Sequence, residues 1–126
     1  MELLLPQEVE VHYIIPTIRK YFAHYLNQNG MNQTEISKIF GITKSAVSQY
    51  FSKKRGNKIA FQKDFVKEIE IATKQITDKY TFMYQMQKLL LKLKNDYSIC
   101  TIHEQINPNL NNCNPELVGC HFRKTK

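Results

Sequence analysis

From residue 6 onward, apolar positions recur mostly three and four residues apart. Val9, Val11, Ile14, Ile15, Ile18, Phe22 and Tyr25 follow that rhythm up to Gly30, which predicts helix with Pro6 in its first turn and Gly30 just beyond its end. Pro16 interrupts the pattern. Without an N–H it must start a helix or kink one. The segment reads as a packing helix. His12 and His24 have no Cys, Asp or His at a ligand spacing and read as surface or edge residues.

A shorter pattern follows. Ile36, Ile39 and Phe40 make an apolar stripe on a helix over Gln33–Phe40, and Gly41 supplies a residue able to take a tight turn. Thr43 stands where the next helix begins, able to cap a first-turn N–H, and Ala46, Val47, Tyr50 and Phe51 form that helix's apolar face. Lys44, Ser45, Ser48 and Gln49 are left to face outward. Such a row suits a major groove: Gln49 and Lys44 can hydrogen-bond base edges, and the small serines allow close approach.

Charge sharpens this picture. The chain has 18 basic and 11 acidic residues, a net charge of +7, and no Asp or Glu lies between Ile36 and Lys63. Lys38, Lys44, Lys53, Lys54, Arg55, Lys58 and Lys63 within that window carry the whole excess, and the remainder balances to zero. Concentrated cations without interspersed acids fit a polyanion, because they displace condensed counterions from phosphates. Lys53, Lys54 and Arg55 follow the second helix and suit phosphate oxygens rather than sequence readout.

The stretch "NQTEISKIFGITKSAVSQYFSKKRG", residues 32–56, resembles the helix-turn-helix of the lambda-repressor-like, or XRE, family of transcriptional regulators. Ser37 departs from the Ala usual at its close-packed position. The resemblance implies a bundle of about five helices, with the second and third forming the reading unit, and dimers that bind palindromic operators. The candidate DNA-contacting residues are Gln33, Thr34, Thr43, Lys44, Ser45, Ser48, Gln49, Lys53, Lys54 and Arg55.

Two more amphipathic patterns come after it. Phe61, Phe65, Ile69, Ala72 and Ile76 predict one helix; Phe82, Met83, Met86, Leu89, Leu90 and Leu93 predict another whose apolar width exceeds what one neighbour requires. That width leaves two readings open, a dimer surface joining two reading heads or closure of the monomer's own core, and dimerisation is the expectation. The expected fold is all-α: a helix-turn-helix bundle over residues 1–60, helical dimerisation region over 61–96, and a Cys/His-containing tail over 97–126.

Composition and the termini add the compartment. The chain's 126 residues, 42% of them hydrophobic, allow one modest core, and no run approaches the roughly 18 apolar residues of a membrane span. The N-terminal "MELLLPQEVEVHY" has acidic neighbours where a secretory signal would carry basic ones. A cytoplasmic location is expected, where thiols stay reduced. All three cysteines then fall near the C-terminus: Cys100 and His103 share a helical face, and Cys113, Cys120 and His121 follow a loop with Pro108 and Pro115. These five are the candidate metal ligands. An iron–sulfur cluster or zinc are the alternatives for a bound group, beside free thiols or a disulfide.

Pro16-Thr17-Ile18-Arg19, "SQYFSKKRG" and the cysteine-bearing C-terminus together resemble a group of small archaeal transcriptional regulators. In that group the first tail element is commonly C-x2-C, and here His103 takes its second position. The resemblance implies a sensor, in which oxidation or loss of the group alters DNA affinity. Outside the helix-turn-helix no Asp/Glu/His constellation falls on one face, so a recombinase or nuclease is not expected. An antitoxin-like, partner-binding DNA module with a structural tail is the alternative.

Overall fold

The computed structural model describes residues 5–52, 59–95 and 98–106. Among these all regular structure is helical: α1 (Pro6–Val9), a π-helical turn (Glu10–Ile14), α2 (Ile15–Gln28), α3 (Gln33–Phe40), α4 (Lys44–Phe51), α5 (Lys63–Thr73), α6 (Lys79–Asn95) and α7 (Ser98–Ile106). None of these helices is long and apolar enough to cross a membrane.

Pro16 explains the N-terminal irregularity. In a continuous α-helix its ring would press on the carbonyl four residues back, and its missing N–H would leave that carbonyl unpaired. The preceding turn is widened instead: the Ile15 N–H bonds to the Glu10 carbonyl, five residues back, and Pro16 sits in the first turn of α2. The buried Thr17 hydroxyl donates to the Tyr13 carbonyl at 2.7 Å, so the altered turn keeps its polar groups paired. Gly30 follows two residues past the end of α2, and its φ of +102° suits a residue without a Cβ.

α2 is the central element, packing against α3, α4 and α5, while α6 packs against α3, α5 and α7. Ile18, Phe22, Ile36, Val47, Tyr50 and Ile69 are almost wholly buried between them. Phe82 of α6 stacks on Phe40 of α3 at a centroid distance of 4.5 Å and meets Phe22 of α2 edge-on at 5.9 Å. Three helices are thereby joined at one aromatic cluster.

The second half departs from expectation in two places. Of the wide α6 stripe, Phe82, Met86, Leu89 and Leu93 are buried in the chain's own core, Leu90 is half-buried and Met83 is exposed. The first part of the segment read as tail, Ser98–Ile106, is a helix docked on α1 and α6 through the buried Ile102. Gln105 ties it further: its amide donates to the Ala60 carbonyl and accepts from the Ala60 N–H, both at 3.1 Å. α7 thus grips the backbone just before α5.

Asp78 caps α6. Its Oδ1 accepts the N–H groups of Thr81 at 2.8 Å and Tyr80 at 3.0 Å. The Thr81 backbone bond, outweighing desolvation and helped by the Thr81 hydroxyl and the Tyr80 N–H, holds the Asp78 carboxyl below its usual value. A depressed carboxylate stabilises the fold above its unfolded pKa, near 3.9, and loses that contribution as pH falls through the folded one. The urea midpoints of wild type and Asp78→Ala should therefore converge as pH drops from about 5 to about 2; a constant gap would contradict the cap. Separately, Phe82→Ala should cost about 3–5 kcal/mol in urea unfolding, and a loss under about 1 kcal/mol would show that the aromatic cluster is not the joint of the bundle.

Candidate nucleic-acid interface

Two local signals set the α3–α4 unit. Asn32, extended at the start of α3, accepts the Glu35 N–H through Oδ1 at 2.9 Å, and Thr43 does the same for Ala46 through Oγ1 at 3.1 Å at the start of α4. Each satisfies one donor that a helix start leaves unpaired. Between them Gly41 ends α3 with φ +68°, and the Ile42 N–H bonds back to the Ser37 carbonyl at 3.2 Å. A side chain at Gly41 would be strained in that left-handed conformation.

The turn places α4 across α3 and α2. Ile36 and Phe40 of α3 and Ala46, Val47 and Tyr50 of α4 are buried, and Phe51 packs edge-on against His24 of α2 at 4.9 Å. With that face committed to the core, Thr43, Lys44, Ser45 and Ser48 are exposed and Gln49 is half-buried. All five were expected to face outward or stand at the helix start. Thr34 is also exposed, and Gln33 is half-buried.

One contact was not legible in the sequence. The Ser48 hydroxyl donates to Gln33 Oε1 at 2.8 Å, linking the first residue of α3 to the middle of α4's outer face. The two polar groups lie 15 positions apart, and no short-range pattern signals their meeting. Ser37 is half-buried, and its hydroxyl donates to the Thr34 carbonyl at 2.6 Å. The hydroxyl is thus satisfied on its own helix, which is why Ser is accommodated at a position where Ala would pack.

Lys53, Lys54 and Arg55 lie outside the described residues, as do Cys113, Cys120 and His121. Of the candidate ligands, Cys100 and His103 are on α7, three residues apart. Cys100 is half-buried against the core and His103 is buried, so their shared face is one that packs on the bundle. Among the described residues no group of three or more metal-ligating side chains is brought together.

No known family model, curated protein or solved structure matches the chain. The candidate interface is thus described by its geometry alone: a polar, acid-free row on a short helix, fixed by two caps, one glycine turn and a buried opposite face.

Thr43→Ala should cost about 1 kcal/mol in chemical unfolding, with Thr43→Ser recovering most of it. Equal losses for both would show that the hydroxyl does not cap α4.

Proposed function

We propose that the chain is a sequence-specific DNA-binding transcriptional regulator of the helix-turn-helix type that reads operator DNA as a homodimer. The observation that carries this reading is the outer face of α4, with Lys44, Ser45 and Ser48 exposed and Gln49 half-buried beside them, inside a 28-residue window with seven basic residues and no acid.

The chemistry follows from those groups. A helix of this width enters the major groove, where the Gln49 amide can pair with the N6 and N7 edge of adenine and Lys44 can donate to guanine or to a phosphate. Ser45 and Ser48 keep the helix close to the bases. The Gln33–Ser48 bond restricts both side chains, so the surface meets DNA with less rotamer freedom left to lose. Thr34 and the Gln33 end of α3 stand beside this row, suited to backbone phosphates. Occupying an operator blocks other proteins from the same DNA, so repression is the direct consequence of binding.

An antitoxin-like module that grips another protein would share this DNA interface, and the exposed apolar residues of α6, Tyr80, Met83, Tyr84 and Leu91, favour a protein contact in either case.

The test is selection of duplexes from a random library followed by titration in graded salt. Wild type should enrich one motif; Gln49→Ala should relax preference at one or two base pairs, a loss of about 1–3 kcal/mol in discrimination. Lys54→Ala, as a phosphate contact, should weaken binding to all sequences and lower the salt slope by about one. Failure to enrich any motif, with no salt-dependent binding to random duplex, would overturn the reading.

A further inference from the structure

A groove runs between α5 and α6. On α5 it is lined by Glu68, Ile71 and Ala72, and on α6 by Gln85, Lys88, Leu89 and Lys92. Within each helix these positions follow the three- and four-residue spacing of a single face. The groove holds about 550 Å³, within the roughly 300–1,000 Å³ usual for small-molecule sites. Ala72 and Leu89 are its buried floor, and Ile71, 62% exposed, is an apolar lip. None of these residues belongs to α3 or α4.

Gln85 is the anomaly in this lining. The residue is only 8% exposed, and its side-chain amide has no hydrogen-bond partner among the described residues. An amide taken out of water without a partner costs stability. Because the residue lines the groove, a polar group held there can supply the missing bond.

Charge sets the sign of that group. Lys92 is engaged by Glu68. Lys88 is exposed and has no ion pair among the described residues, which leaves it as the uncompensated charge of the groove. The rim adds to it: Lys67 and Lys74, four residues before and three after Ile71 on the same side of α5, are exposed. The neighbouring acids do not cancel them. Asp64 and Asp78 lie beyond the two ends of the groove, Asp78 turned onto the first turn of α6, and Glu70 lies toward Tyr25 of α2.

We propose that the α5–α6 groove is a binding site for a small organic carboxylate carried on an apolar ring. Gln85 Nε2 and Lys88 Nζ, on residues about 4.5 Å apart along one face of α6, donate to the carboxylate. The ring lies on Ala72 and Leu89 beneath Ile71, and the Glu68–Lys92 pair closes the far end. A phosphate suits the groove less well: it carries nearly twice the charge, and the lining offers one uncompensated lysine, no arginine and no helix N-terminus. The site does not depend on the DNA reading.

The experiment is titration of the isotope-labelled full chain, without DNA, followed by amide NMR shifts. Indole-3-acetate should bind saturably with a Kd below about 1 mM, and the shifts should concentrate in residues 68–75 and 85–92. The neutral analogue indole-3-acetamide should bind about three- to fivefold more weakly. Lys88→Met should erase that preference. Gln85→Leu should weaken indole-3-acetate at least about tenfold, while the urea midpoint holds or rises, because an apolar side chain of similar size replaces an unpartnered amide. No saturable shift up to about 5 mM, shifts scattered outside the two rows, a carboxamide that binds as tightly as the carboxylate, a preference kept in Lys88→Met, or undiminished binding by Gln85→Leu would each overturn the proposal. Should Gln85→Leu lower the urea midpoint, Lys88→Met decides alone, since that side chain is exposed and its removal leaves the packing intact.

Discussion

Phe82 joins α2, α3 and α6, and with them seats the α3–α4 unit on the rest of the bundle. Its ring stacks on Phe40 at the end of α3 and meets Phe22 of α2 edge-on, so the α3–α4 unit is seated on α6 through a single aromatic cluster. Two eight-residue helices are too short to be stable alone in water. Their register, and therefore the direction in which Lys44, Ser45, Ser48 and Gln49 point, depends on burying Ile36, Phe40, Val47 and Tyr50 against α2 and α6. The same helix that supplies Phe82 inward carries Tyr84 and Leu91 outward.

The α3–α4 unit was legible because its signals are local. Thr43 caps within three residues, Gly41 needs only its own backbone angle, and Ile36, Phe40, Val47 and Tyr50 declare a buried face by spacing alone. Pro16 was legible as a constraint, a start or a kink, but not as the widened turn that resolves it, since that depends on which carbonyl the Ile15 N–H finds. The all-helical character of the described residues followed from the spacing of their apolar positions.

Other features were hidden because they depend on distant partners. Spacing shows that α6 is broadly apolar, yet Phe82 and Met83 differ in fate only because α3 and α5 cover one side of the helix. Gln105 gives no sign in sequence that it will pair with the Ala60 backbone 45 residues away, nor Ser48 that it will hold Gln33. Cys100 and His103 drew attention as ligand types; in the folded chain they lie on a helix packed against α1 and α6, where a small thiol and an imidazole also serve as filling.

Contact between the outer row of α4 and DNA can be read from amide hydrogen exchange of the full chain with and without a selected duplex. Protection gained on binding should concentrate in residues 33–35 and 43–52, with little change in α5 and α7. Unchanged exchange across α4, or protection confined to α6, would contradict it.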